Sequence, residues 1–323
     1  MKGQMCFAWL SVVTVLVAFG GLLQASELSY VTVGDAGNGN VGYRFAIAEF
    51  EVTNDDYLEF MNSCNPTNND NLGLYNTSMA SDPNGGISYV GLGYGQRFAV
   101  KAGMGSKPVN FVCWYDAIRF ANWLTNGKPV GTNITYTDTG TYTITGGGFN
   151  SGTVALPSAA QRAAWMAAGE YHVLLPTSNE WVKAGHYKGG ASGAFWTYAT
   201  ATDTKPTAED PPGGTNSVCC TATSVNDGYD YDPGGPKDVG AYTNSASPYR
   251  TFDQAGSVWE WTEDFSSPNA YIMGAGWSSA MSQLQLGNAL HAMFFAATTE
   301  QDWLGFRVVR ILAVRTGTLF SIR

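Results

Sequence analysis

The chain has 323 residues, enough for one large domain or two small ones, with 17 basic against 26 acidic side chains and a net charge of −9. Such a protein should repel nucleic acid and anionic membrane surfaces, which makes divalent cations the more natural partners. Thirty-nine glycines and few long stretches of helical period argue against a helical bundle or an alternating βαβ fold, and predict one loop-rich α+β domain.

In chain order, Lys2 precedes the apolar run "CFAWLSVVTVLVAFGGLL" and then "LQAS", with Ala25 as the expected last residue before cleavage. A charged start, an apolar run and a small-residue site make a secretory signal peptide over residues 1–25. The alternative is an uncleaved anchor, since the run is about long enough to span. Cleavage would leave residues 26–323 as an exported domain, periplasmic or secreted, with no membrane association. Cys64, Cys113, Cys219 and Cys220 would then meet an oxidising compartment, where disulfides are permitted. Four cysteines allow three pairings, and spacing does not choose among them.

Three helices are legible. "TNDDYLEFMN" opens on Thr53 and Asp56, a capping-box variant, and turns Tyr57, Phe60 and Met61 inward. "KPVNFVCWYDAIRFANWLTNGKP" reads as an apolar strand and then a helix with Ile118, Ala121 and Leu124 inward, stopping at Gly127. "LLPTSNEWVKAGHY" carries a full T-x-x-E box in Thr177 and Glu180. Between the last two, "YTDTGTYTITGGG" alternates β-formers with polar residues and reads as a hairpin. Residues 189 to 250 read as one long loop, and a loop of that length is usually functional or pinned by something.

The densest stretch is "TFDQAGSVWEWTED", residues 251 to 264. In an extended segment Trp259 and Trp261 share one face, and Val258 and Glu260 the other. Glu260 cannot be buried unpaired without large cost, so it faces solvent, a bound cation, or a buried Arg or amide group.

Taken together, "EVTNDDYLEFMN", "KPVNFVCWYDAIRFANWL", "LPTSNEWVKAGHY", "TFDQAGSVWEWTED", "GAGWSS" and "LGFRVVR" resemble, in order, the formylglycine-generating enzyme family, also called sulfatase-modifying factors. The pieces run from about residue 31 to 310. The resemblance implies a single compact domain related to the C-type lectin fold, with structural calcium. It places one calcium on the Asp253 and Glu260 side chains and the Gly256 and Val258 carbonyls. Oxygen donors of this mixed kind suit that ion. A second, with shorter spacing than the family's, would use Asn216, Ser217, Asp227 and Tyr229.

The family is an oxidoreductase that turns a cysteine of a sulfatase peptide into formylglycine, using copper(I) held by two cysteines five positions apart. The matching positions here are Ser279 and Leu284, and no cysteine follows Cys220. A hydroxyl is a poor ligand for a soft ion and an alkyl group is none. The expectation is therefore no copper, no catalytic residue by family analogy, and a calcium-bearing module for a peptide or glycan. The rival expectation is an oxidoreductase with a rebuilt metal site. For that, His172, His186 and His291 show no iron or zinc spacing, and Cys219 and Cys220 would need a new geometry.

Overall fold

Thr53 closes an extended segment and opens the first helix. Its hydroxyl accepts the Asp56 N–H at 3.2 Å, while the Asp56 carboxylate accepts the Thr53 N–H at 3.0 Å, so the expected capping box is complete. The computed structural model describes residues 27–65, 72–131, 135–146, 150–289 and 291–314, and the expected leader lies outside them. Helix Asn54–Cys64 buries Tyr57, Phe60 and Met61. The Tyr57 and Phe60 rings meet helix Trp114–Thr125, with Phe60 centred 5.4 Å from Phe120 and 5.3 Å from Trp123. That second helix is buried on every side, Asp116, Arg119 and Asn122 included, beyond the apolar stripe its period suggests.

The apolar segment 107–113 that leads into it is not a strand. Phe111 takes a φ of 55°, which breaks any extended run, and the backbone spends its bonds singly: Val109 N–H on Val52 and Phe111 N–H on Gln301. The hairpin expected in "YTDTGTYTITGGG" is also revised. Thr135–Asp138 is a turn of helix, and Thr143–Thr145 pairs instead with Thr153–Ala155. The cause is tertiary: the Asn122 amide donates to the carbonyls of Thr137 and Tyr142 and accepts the Tyr142 N–H, fixing that segment against the buried helix.

Helix Ser178–His186 starts at the expected Thr177–Glu180 box. A fourth helix, Ala159–Ala168, starts at an equivalent box of Ser158 and Gln161 and ends on Gly169 in the left-handed conformation. It tethers itself through Arg162, whose guanidinium pairs with Glu263 and with Glu180. Tyr142 O–H also donates to Glu263, at 2.9 Å. Burial pushes the Glu263 carboxyl up to about 7, with Arg162 opposing and Glu180 adding to the rise. An acid raised on folding binds its proton in the folded state where the unfolded chain has lost it. Stability should therefore fall as pH rises from about 4.5 to about 7, and level off above. Glu263→Gln, which removes the titrating proton and keeps one acceptor oxygen for Arg162, should flatten that slope in urea titrations across the interval.

Two four-stranded sheets carry the core. One runs Tyr30–Val33, Phe45–Ala48, Val309–Ile311, Val173–Leu174, antiparallel throughout. The other runs Ala292–Ala296, Asn269–Met273, Trp259–Ser266, Leu304–Phe306, its last pair parallel. The chain passes from Leu304–Phe306 of one sheet to Val309–Ile311 of the other through Arg307 and Val308 alone. Among the described residues no helix is long and apolar enough to cross a membrane.

Candidate functional site

The acid between the two indoles is fully buried, and so are its neighbours on both sides. Trp259 and Trp261 anchor the strand by their polar edges: Trp261 donates to the Val112 carbonyl and Trp259 to the Ser279 hydroxyl, each at 3.0 Å. Glu260 meets Arg307 in a two-point pair, Nε to Oε2 at 2.6 Å and Nη2 to Oε1 at 2.7 Å, and Trp181 donates to Oε2 at 2.8 Å. Of the alternatives left open by the sequence, the structure places a buried Arg on Glu260. Arg307 further donates to the carbonyls of Phe252, Ala48 and Glu49. Burial alone would pull the guanidinium's pKa down, but Glu260 overrides it and the net shift is upward.

Glu260 is not the only acid here. Glu51, in the extended segment after strand Phe45–Ala48, is buried, and neither of its carboxylate oxygens has a hydrogen-bond partner. Arg307 Nη2 lies 3.9 Å from Glu51 Oε2, beyond hydrogen-bond reach. Burial drives the Glu51 carboxyl well up, Asp253 adds to the rise, and Arg307 opposes it. Asp253 is itself raised to about 6 by its low-dielectric surroundings, against the Gly240 N–H that binds its Oδ2. Three carboxyl groups thus act on one guanidinium, and two of them, Glu51 and Asp253, are pushed toward their neutral forms. Sequence reasoning named Asp253 and Glu260 but missed Glu51. An acid between Phe50 and Val52, two apolar neighbours in an extended run, was the available signal.

The intervening backbone is sharply turned: Asp253 has a φ of 64°, Gly256 of 111° and Ser257 of 66°. A side chain at Gly256 would lie 2.3 Å from the Cys219 carbonyl, so glycine is required there for space as well as for conformation. Beyond this turn Asp253 and Glu260 act electrostatically on Glu51 and Arg307, whereas Gly256 bridges to Cys219. A cleft of about 400 Å³ reaches Glu51, lined also by Glu27, Asp55 and Asp56 and by no basic residue.

The second set of expected ligands meets a cation of the protein's own. Lys205 Nζ donates to Asp227 Oδ1 at 2.6 Å, and Asn216 Nδ2 donates to the Lys205 carbonyl at 3.2 Å. The Asn216 carbonyl oxygen accepts from Thr200, the Ser217 hydroxyl lies against Glu209, and the Tyr229 hydroxyl accepts from Ala208 N–H.

Ser279 and Leu284 stand where the resemblance puts the copper ligands. Ser279 is not at a surface: its hydroxyl accepts from Trp259 Nε1 and from Gly276 N–H, each at 3.0 Å. Leu284 is buried in the core. Thr221 bridges to Ala280, so Cys219 and Cys220 lie near this turn, but both are buried, and burial pushes the Cys219 thiol up to about 12. All four described cysteines are free thiols. Beside the turn a cleft of about 360 Å³ opens, lined by Tyr198, Lys205, Asn226, Asp227, Ser282 and Gln285 among others. His172 stacks on Trp165, away from the turn, whereas His186 and His291 lie together in the interior.

The model of the sulfatase-modifying factor enzyme 1-like domain matches residues 14–312. The chain belongs to this family. Two solved structures share the fold. One, described as the crystal structure of CarF, is 17% identical with a TM-score of 0.53, covering 88% of this chain and 99% of its own. The other, Treponema denticola variable protein 1, is 19% identical with a TM-score of 0.51, covering 88% and 96%. At such identity they speak to the fold alone. No curated protein matches the chain. The α+β expectation therefore stands, as a sulfatase-modifying factor domain.

Proposed function

We propose that this sulfatase-modifying factor domain is an exported, calcium-bearing ligand-binding module that makes no formylglycine. The observation that carries the reading is the use of the two copper positions. Ser279 spends its hydroxyl on an indole and a backbone amide, and Leu284 fills the core, so neither is a ligand for a soft ion. The ligand cleft is the one beside that turn, where Asn226, Gln285 and Lys205 offer donors and Tyr198 an aromatic edge for a peptide or a glycan. Incubation of the exported chain with copper(I), oxygen and a cysteine-containing sulfatase peptide is expected to give no aldehyde. An aldehyde product would overturn the reading. A peptide and glycan array, read with wild type and with Gln285→Ala, should then lose its strongest signal in the variant.

Calcium belongs in this proposal at Asp253, Gly256, Val258, Glu260 and Glu51. The ion would supply the positive charge that three carboxylates around one Arg lack, and Glu260 keeps a lone pair on Oε1 for it. At Asn216, Ser217, Asp227 and Tyr229 calcium has to displace the Lys205 ammonium. Lys205→Met should therefore raise the calcium stoichiometry in equilibrium dialysis from one ion per chain to two. An unchanged stoichiometry in the variant would remove the second site from the proposal.

A second reading, oxidation at a rebuilt metal site, draws on His186 and His291. Each gives Nδ1 to a carbonyl, of Trp196 at 3.0 Å and of Gln283 at 2.8 Å, and each leaves a buried Nε2 without a partner. The rings lie 5.4 Å apart. Copper and iron analysis of protein purified without chelator tests it, and absence of both metals would end it.

A further inference from the structure

At the start of helix Trp114–Thr125 the N-cap residue is Cys113, where hydroxyl and carboxamide side chains are the usual choice. A thiol is a weak acceptor, so capping alone gives little reason for sulfur at this place. Asp116 completes the reciprocal half of the box, its Oδ2 accepting the Cys113 N–H at 2.8 Å. Its other oxygen, Oδ1, is buried and receives no hydrogen bond, in a residue with no exposed surface. Glu300, from the loop before strand Leu304–Phe306, closes the group: one ligand atom each of Cys113, Asp116 and Glu300 lies within 4.8 Å of the others.

Arg119 is the near cation, and its Nε is already committed to Asp138 at 3.2 Å. Asn76 and Asn150 both turn their amide nitrogens to Glu300, at 2.5 and 3.4 Å, which orients that carboxylate from the side. The Asn150 amide oxygen is in turn buried without a donor. One sulfur and two carboxylates converge, and Asp116 Oδ1 lies buried among them without a hydrogen bond.

We infer that Cys113, Asp116 and Glu300 form a second, separate metal site, for a borderline divalent cation of the zinc class. Zinc accepts thiolate and carboxylate together in four-coordinate geometry, whereas calcium rejects sulfur. Tetrahedral zinc wants its ligand atoms about 3.5 Å apart, so the three need close by only about an ångström. A water supplies the fourth position. Binding releases the Cys113 thiol proton, because the thiolate is the ligand. The site ties the start of a buried helix to the loop that leads into the central sheet, which makes it a structural clamp. It is independent of the calcium reading, sharing no residue with it.

The test uses cobalt(II) as the spectroscopic stand-in for zinc, added to chelator-treated protein in excess calcium so that the oxygen site is occupied. One cobalt per chain is expected, with a sulfur-to-cobalt charge-transfer band in the near ultraviolet that zinc abolishes by displacement. Cys113→Ser retains a capping hydroxyl and should fold, as far-ultraviolet dichroism will report, yet lose the band and weaken zinc binding at least tenfold. Asp116→Asn should weaken zinc binding while keeping the band at higher cobalt. Absence of the band in wild type would overturn the proposal and leave Asp116 and Glu300 as a proton-sharing acid pair. An undiminished band in Cys113→Ser would overturn it too, since Cys64, Cys219 or Cys220 would then be the sulfur donor.

Discussion

Arg307→Met is expected to cost about 3–5 kcal/mol of folding stability, the usual consequence of removing one partner of a buried ion pair. The loss comes less from the five hydrogen bonds the guanidinium makes than from what stays behind. Glu260 would keep a carboxylate in the protein interior with only the Trp181 N–H to answer it, and Glu51 would lose its one nearby positive charge. Three backbone carbonyls would lose a donor at the same time. Urea denaturation at neutral pH measures the effect, and a cost under about 1 kcal/mol would refute the central role given to this side chain. The double variant Arg307→Met with Glu260→Gln should recover part of the loss, because it removes the stranded charge together with its partner. Where Arg307→Met alone fails to accumulate as folded protein, the double variant supplies the measurement.

The second large effect concerns calcium. An ion that binds the folded chain alone stabilises it by about 2.7 kcal/mol when present at one hundred times its dissociation constant. For a domain of this size that is a rise in melting temperature of several degrees. Glu51→Gln should abolish most of that rise. Glu51 has no hydrogen bond and burial drives its carboxyl toward the neutral form, so in the metal-free protein the neutral amide costs little in its place. The variant is therefore expected to melt no lower than wild type in chelator, and well below it in millimolar calcium. Equal calcium responses in the two proteins would take Glu51 out of the site. No calcium response in wild type would remove the ion from the proposed function.

Much of the scaffold was legible because local chemistry and global fold agree. Three capping boxes and the apolar periods behind them lie in the sequence, and the structure starts helices at Asn54 and Ser178 as those residues dictate. The Ser158 box was equally readable, but the alanine-rich run behind it shows little amphipathic contrast, since only Arg162 and Met166 are buried. What the sequence did not disclose is where side chains from distant segments meet. Asn122 overrides the β alternation of residues 136–145 by three hydrogen bonds, and nothing local announces it. Glu51, Asp253, Glu260 and Arg307 are spread over more than 250 positions and converge only when two sheets do. Lys205 on Asp227 is likewise a contact between loop segments, invisible to spacing. Residue type carried the question at Glu260; topology supplied the answer.

The hydroxyl of Ser279 has a consequence for anyone wishing to install a pair of sulfur ligands at this turn by design. Writing cysteines at 279 and 284 would not by itself build a metal site. A sulfur at 279 would have to abandon the indole that fixes the central strand, and one at 284 would hollow out the core beneath it. Installing such a pair therefore demands a coordinated rebuild of strand, turn and interior.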